Sequence, residues 1–512
     1  MDFINPLLFN DLKKRFFIFF VLFLFFVYPI IQENIYYIDD LGRSVYGYLA
    51  LTGNGRPIGD WIWEIMSFSP NYVSNLAPLT QIISVSFLAI ALSFLSRSWR
   101  FSVLNGSIAL SFLVCSPFLL ANLSYRFDSI TMTAALALIT IPFSLPQNIS
   151  NAKRIVLTSL VILITSNVYQ AALNAFLVLL CLNSTLQIID YSNKQSISRF
   201  IQGIIAFITG LVLYKIEIAV TNITNYDPYT RAHLGMVHDV HSFLGNIKNC
   251  IRLAFNEFRH GNLERFLGAC MILGIIATFT RVFIGVRNRN KNEITLSLFL
   301  TFLFLGLSVL SIAGLLSLLK FPVIVPRTMM SVGAVCAFAV TFIIGRSSPK
   351  NIYQCVPMAL GMLMLFGQFV FAYAWGNAEG SQSHLDHQLA RQIDEDLFTL
   401  SGRQTTYVRI LGDQTPTSAY TQLILNQHPI FRFDLARALD GWAWGNTLLK
   451  TYNLPNNISV TTNESPDTKP TMKAALEIRN TCHFDKIISR VNYNLYKLND
   501  NIVIDFTHAC SQ

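Results

Sequence analysis

Lys13-Lys14-Arg15 is followed over residues 16–31 by FFIFFVLFLFFVYPII, a run without a single charge. About 20 mostly apolar residues in a helix cross the roughly 30 Å of a bilayer's hydrocarbon, and runs of this kind recur as far as residue 374. The basic cluster and apolar stretch also have the layout of a signal peptide. No small-x-small cleavage site follows, and Pro29 with Gln32-Glu33-Asn34 comes instead, so an uncleaved first span is expected.

Composition agrees with this reading. Of 512 residues 52% are hydrophobic and only 13% charged, which places the chain in the membrane class. Eleven spans are expected, at 16–31, 78–96, 102–121, 129–146, 155–167, 169–187, 201–220, 266–284, 295–318, 328–344 and 352–374. The fifth is short and meets the sixth through Thr165-Ser166-Asn167, so a re-entrant hairpin with a different total stays open there.

The net charge of +9 would suit nucleic acid, but its placement argues for a membrane. Lys13, Lys14 and Arg15, then Arg97 and Arg100, Lys153 and Arg154, Lys194 and Arg199, Arg281 to Lys291, and Arg346 with Lys350 fall in alternate loops. Short cytoplasmic loops carry such an excess, so the N-terminus is expected in the cytoplasm and no nucleic-acid partner is expected. The opposite side then receives loop 32–77, the turn at Tyr125–Asp128, loop 221–265, the turn Phe321–Arg327 and the tail.

The expected organisation is a transmembrane catalytic domain over 1–374, an amphipathic connecting helix over 375–400 and an outer α/β domain over 401–512. In the connecting helix Leu385, Leu389, Ile393 and Leu397 recur every fourth residue. Such a stripe packs on the membrane domain or lies at the interface. Beyond it Thr406–Leu411 alternates like a strand, 429–439 and 442–450 look helical, and 487–506 resembles a hairpin turning at Leu498-Asn499-Asp500-Asn501. The eight cysteines have no C-x-x-C spacing. Cys115, Cys181, Cys270, Cys336 and Cys355 sit in or beside apolar runs, while Cys482 and Cys510 in the tail either pair in an oxidising compartment or stay free.

The chemistry is expected just after the first span, in Tyr36-Tyr37-Ile38-Asp39-Asp40-Leu41-Gly42-Arg43. Adjacent side chains in an irregular segment point to different sides, so one acid can take a proton from a hydroxyl while the other holds a cation or Arg43. The alternative is that both merely begin a helix and meet water. Gly55-Arg56-Pro57 follows, with Trp61 and Trp63 as interface belt or sugar-stacking residues, then Arg126 and Asp128. Arg56, Arg126 and Arg327 are cations on the outer side, where the guanidinium fork suits a phosphate or an ordinary ion pair. Tyr169, Gln170 and Asn174 open the sixth span; buried amides there face a cavity or another helix. In loop 221–265, Asp227, Arg231, His233, His238, Asp239 and His241 lack a dependable metal-ligand spacing. No phosphate-binding Gly-rich loop appears, so a donor used outside the cytoplasm is expected to be lipid-linked.

These segments, Asp39–Arg43, Gly55–Pro57, Arg126-Phe127-Asp128-Ser129, Tyr169–Asn174, Pro326-Arg327 and the stretch Asn377–Asp396, together resemble the serotype-converting O-antigen glucosyltransferases of bacteria and phages. The resemblance implies a polytopic α-helical, GT-C-like protein of the bacterial inner membrane with a small periplasmic α/β domain. It implies transfer of glucose, or a related hexose, from undecaprenyl-phosphate glucose to a lipid-linked O-antigen acceptor. Asp40, or else Asp39, would be the catalytic base, and Arg327 and Arg126 would touch the donor phosphate. Arg43, Arg56, Trp61, Asp128, Tyr169, Gln170 and Asn174 complete the expected substrate contacts. No cofactor or metal ligand is named, and assistance by a divalent cation stays open. The rival is a flippase or transporter of a lipid-linked saccharide; no internal repeat of the transporter kind is present, and the polar candidates gather on one side.

Overall fold

The computed structural model describes residues 6–221, 231, 233, 235–256, 258–348, 352–402, 405–411, 415–439, 443–452, 454, 456–460, 475, 477–478 and 480–510. Asp227, considered above, lies outside them. The chain divides into two compact units. The first holds Met1–Gln32, Leu49–Trp375 and Gln427–Asp434, and the second Glu33–Tyr48, Gly376–Asn426 and Leu435–Gln512.

The first unit is a multi-pass helical membrane domain. Among the described residues seven helices are long and apolar enough to cross a bilayer: Asn10–Glu33, Leu79–Ser98, Gln170–Asp190, Asn193–Val220, Gly261–Val286, Lys291–Leu310 and Cys355–Ser401. Large apolar side chains such as Phe17, Ile276, Phe302 and Phe366 stand outward on them, which only a lipid environment accommodates at this density. The other four expected spans take different forms. Residues 102–121 divide into Val103–Ser111 and Pro117–Ser124, because Pro117 has no N–H to continue a helix and the Ser116 hydroxyl caps the second piece at Phe118. Both pieces are buried along almost their whole length, so protein rather than lipid surrounds the break. Ser129–Leu138 and Ser331–Ile344 are short, and Asn151–Val168 carries Lys153, Arg154 and Asn167.

Small and hydroxylic residues let these helices approach. A Cβ on Gly274 would lie 2.5 Å from the Ala339 Cβ, so Gly261–Val286 and Ser331–Ile344 are in near backbone contact. Buried hydroxyls bond back along their own helix, as Thr185 does to the Cys181 carbonyl and Thr301 to that of Ser297, which satisfies those groups without an outside partner. At the end of Gln170–Asp190, Arg289 donates to the Ile188 and Tyr191 carbonyls at 2.8 and 3.0 Å, and Arg346 pairs with Asp190. Cations at a helix C-terminus meet both its orphan carbonyls and its dipole.

The second unit is built on a five-stranded mixed sheet in the order β2-β1-β5-β4-β3. Its strands are β1 (Thr406–Leu411), β2 (Ile458–Val460), β3 (Lys486–Ser489), β4 (Asn494–Leu498) and β5 (Asn501–Asp505). The alternating segment seen in the sequence is β1, parallel to both β2 and β5, and the hairpin turns between β4 and β5 at Asn499, whose φ of 51° is one that asparagine tolerates.

Helix Ile352–Ser401 is continuous over 50 residues. Its stripe does not lie along a membrane: Leu389, Ile393 and Leu397 are buried in one core with Val408, Ile410, Leu495, Ile502 and Ile504. The strands present a matching apolar face, and burial there removes the stripe from water. Tyr496, Leu498 and Val503, on the alternate face, pack with Ile478 and Cys510. Cys482 and Cys510 form a disulfide, with Cα atoms 5.4 Å apart.

Candidate active site

In the membrane unit the site grows from one tight loop. Thr52–Asn54 makes a 3-10 turn and Gly55 follows at φ 72°, a conformation that costs glycine little. Asp60 fixes the loop by accepting the Leu51 and Thr52 N–H groups at 3.1 and 2.6 Å. Arg56 is thereby held at the start of helix Pro57–Ser67. Its Nε donates to Gln170 Oε1 at 2.8 Å, and its guanidinium lies 4.9 Å from the centroid of the Tyr169 ring. Gln170 Nε2 reaches the Tyr214 hydroxyl at 3.1 Å, and that hydroxyl donates to the Gly55 carbonyl at 2.8 Å.

Tyr169 links this network to a second arginine. Its hydroxyl donates to the Arg327 carbonyl at 3.3 Å, which also accepts from Asn122 Nδ2 at 3.1 Å. The Arg327 N–H donates to Asp434 Oδ2 at 2.9 Å, and Arg327 Nη1 stands 3.9 Å from Asp434 Oδ1. Burial pushes the Asp434 carboxyl up to about 6, outweighing the pull of the guanidinium beside it. The Arg327 side chain itself is partly exposed. Two guanidiniums framed by phenol and amide donors are chemistry suited to a phosphate. Gln170 begins helix Gln170–Asp190, and the Arg289 and Arg346 contacts close its other end. At 1.5 Å per residue those ends are about 30 Å apart, a bilayer's hydrocarbon thickness.

The other candidates in this unit have separate places. Asn174 lies one turn beyond Gln170 and serves backbone: its Oδ1 accepts the Leu315 N–H at 2.9 Å and its Nδ2 donates to the Ala313 carbonyl at 3.4 Å. Trp61 is exposed, whereas Trp63 is buried with its ring 5.5 Å from that of Phe127. Arg126 and Asp128 are buried in the turn ahead of Ser129–Leu138, where the Arg126 carbonyl accepts from Thr80 Oγ1 at 2.7 Å.

Asp39, Asp40 and Arg43 belong to the second unit. They open the short helix Asp40–Tyr46, yet the two acids do different things. Asp40 is fully buried; its Oδ2 accepts the Tyr37 N–H at 3.0 Å while its own N–H donates to the Tyr37 carbonyl at 3.0 Å. Asp39 is half-buried, makes no side-chain cap to its helix, and accepts the indole N–H of Trp444 on Oδ1 at 3.1 Å. Arg43 is buried, with its guanidinium 5.7 Å from the Tyr48 ring centroid.

Four functional candidates escape a reading of the sequence. Asn122 is an amide within an apolar run, a cue to intramembrane function, and Tyr214 stands next to Lys215 towards the end of another. Asp434 and Trp444 lie in tail stretches, 429–439 and 442–450, whose pattern reads only as helical and marks neither residue as functional. Elsewhere in the membrane unit Glu264 and His428 form a buried pair 2.7 Å apart. Among the described residues no three His, Cys, Asp or Glu side chains group as metal ligands.

A multi-pass membrane domain bearing a phosphate-suited cationic cluster, in a chain that also carries a tightly structured acid pair, has the make-up of a membrane glycosyltransferase. Residues 28–338 match the family Glucosyl transferase GtrII, and the chain belongs to that family. It is 26% identical over 443 residues, covering 85% of this chain and 89% of the relative, to the "Uncharacterized 55.3 kDa protein in gtrB 5'region" of Salmonella phage P22. No solved structure gives a significant match. The protein is accordingly a glycosyltransferase enzyme of the membrane.

Proposed function

We propose that this chain is a GT-C-type glucosyltransferase that moves glucose, or a related hexose, from undecaprenyl-phosphate glucose to a lipid-linked O-antigen saccharide. The reaction takes place at the periplasmic face of a bacterial inner membrane, with about eleven crossings counted broadly, the N-terminus in the cytoplasm and the C-terminal domain outside. The observation that carries it is the Arg56–Tyr169–Arg327 cluster in a chain of the Glucosyl transferase GtrII family.

Transfer is a single displacement. An acceptor hydroxyl gives its proton to a carboxylate as its oxygen bonds the anomeric carbon. The bond from that carbon to the phosphate oxygen breaks, and polyprenyl phosphate leaves with the electron pair. Arg56 and Arg327 offset the charge gathering on the phosphate, Tyr169 and Gln170 hold the two cations in register, and Arg126, beside Asp128, is a further cation for the same group. A phosphate leaving group needs no proton from a general acid, so one carboxylate suffices where glycoside hydrolysis uses two. Asp39 is favoured as the base over Asp40 because it is half-buried, whereas Asp40 is fully enclosed and tied to Tyr37. Arg43 and Trp61 are assigned to the saccharides, and Asn174 to holding the backbone of Ala313 and Leu315.

Asp39→Asn and Asp40→Asn, each checked for insertion and folding, test the assignment through transfer of labelled glucose. Loss of transfer in Asp39→Asn is expected. Full activity in both variants would remove the acid pair from the mechanism.

A further inference from the structure

Two successive membrane helices, Asn193–Val220 and Gly261–Val286, are joined by a stretch that holds the 17-residue helix Val240–Asn256. This helix is not among those long and apolar enough to cross a bilayer, yet the second span starts almost directly after it. One side packs on the membrane unit. Cys250, Leu253 and Ala254 are buried there, and Asn246 Nδ2 donates to the Ser317 and Leu319 carbonyls at 3.2 and 2.8 Å.

At 3.6 residues per turn the other side chains sort into three further sectors. Val240, Leu244, Ile251 and Phe255 fall within about 60° of one another. Three of them stand well out: Val240, Leu244 and Phe255 are 72%, 56% and 58% exposed. Lys248 and Arg252 adjoin this sector on the side away from the protein, with His241 between them, and all three are exposed. Ser242, Gly245, Asn249 and Asn256 come next. Going round the helix from its packed side, the order is protein, apolar, cationic, neutral polar. A helix lying in a membrane surface meets its surroundings in that order, with hydrocarbon below, phosphates at the flank and water above. A face made for a protein partner would instead ring an apolar centre with polar groups. Among the described residues no carboxylate pairs with Lys248 or Arg252. The adjoining backbone pairing repeats the combination: Val237 donates to the Leu318 carbonyl and Lys320 to that of Gly235, Met236 and Phe321 are exposed, and Lys320 Nζ stands 5.3 Å from the Phe321 ring centroid.

We propose that helix Val240–Asn256 is a docking surface for anionic phospholipid, with Val240, Leu244, Ile251 and Phe255 entering the acyl region and Lys248 and Arg252 binding headgroup phosphates. The long apolar stems of the two cations span the distance from the acyl boundary to the phosphates. Both cations act on the same lipid layer, so lipid with a net negative headgroup gathers there in preference to zwitterionic lipid. The surface goes beyond the transferase reading and does not depend on it.

The test places the full-length protein in lipid nanodiscs and introduces a tryptophan by Leu244→Trp, at an exposed position that tolerates the larger ring; Phe255→Trp is the second choice where that variant does not insert. Wild type supplies the background of the native tryptophans, and Asn249→Trp, in the neutral sector, reports on water. With phosphatidylcholine brominated on its acyl chains, the emission added by Leu244→Trp should be blue-shifted and quenched by about half, and that of Asn249→Trp left nearly untouched. In mixed bilayers, brominated phosphatidylglycerol should quench Leu244→Trp about threefold more efficiently than the same mole fraction of brominated phosphatidylcholine. Adding Lys248→Gln and Arg252→Gln should remove that preference and leave the quenching by phosphatidylcholine in place. Unquenched emission from Leu244→Trp, or equal quenching of Leu244→Trp and Asn249→Trp, overturns the proposal. Equal quenching by the two lipids, or a preference that survives loss of both cations, overturns it as well.

Discussion

Replacing Asp434 by Asn probes the cationic cluster through a buried counter-charge beside Arg327. Burial and the neighbouring guanidinium act on that carboxyl in opposite directions. Charges 3.9 Å apart attract by about 4 kcal/mol at an effective dielectric of about 20, which favours the ionised form beside Arg327. Burial opposes this and wins, lifting the carboxyl from 3.8 to about 6, which corresponds to a net cost of about 3 kcal/mol for ionising it in the fold. Because the folded pKa lies above the unfolded one, the contribution to stability is fully present below the unfolded value and is lost as pH rises through about 6. Asn removes this dependence and can still accept the Arg327 N–H. Thermal unfolding in detergent between pH 4 and 7.5 should therefore show wild type losing up to about 3 kcal/mol that Asp434→Asn does not lose. The variant should also bind donor several-fold more tightly, since Arg327 no longer shares its charge with a carboxylate. Parallel stability curves for the two proteins would refute the reasoning about burial, and a raised donor KM would contradict the phosphate role of Arg327.

Arg56→Lys keeps the charge but loses the fork that serves Gln170 and lies over the Tyr169 ring, so the donor KM should rise about tenfold with the acceptor KM unchanged in initial-rate assays. Asn174→Ala should lower the thermal midpoint yet leave both KM values alone, because its amide serves the backbone of 313–315; a changed donor KM would place it on substrate instead. Cys482→Ser opens the loop that the disulfide closes and should cost about 3 kcal/mol, seen as earlier thermal unfolding of the intact protein.

Local patterns made much of the fold legible. Hydrocarbon thickness dictates runs such as 16–31, β1 declares itself by alternation, and Leu498-Asn499-Asp500-Asn501 has turn chemistry, so each could be read without knowing its neighbours. Pro117 marks a helix break in principle, but its apolar flanks make 102–121 look continuous. The stripe at Leu389, Ile393 and Leu397 announced a buried face without naming its partner, which is the sheet. The candidate site was legible only in its cations, its acids and the pair Tyr169-Gln170. Asp434 meets Arg327 across 107 residues and Trp444 meets Asp39 across 405, and no periodicity records pairs so distant. Residues 427–434 belong to the unit of apolar helices although their surroundings in sequence look water-soluble.

The most direct measurement reconstitutes the purified protein in lipid with labelled undecaprenyl-phosphate glucose and a lipid-linked O-antigen saccharide, and follows the label into product. A transferase gives label joined to the acceptor by a new glycosidic bond, dependent on the acceptor and lost in Asp39→Asn. Label that changes membrane leaflet without any new glycosidic bond would contradict that function and establish a flippase in its place.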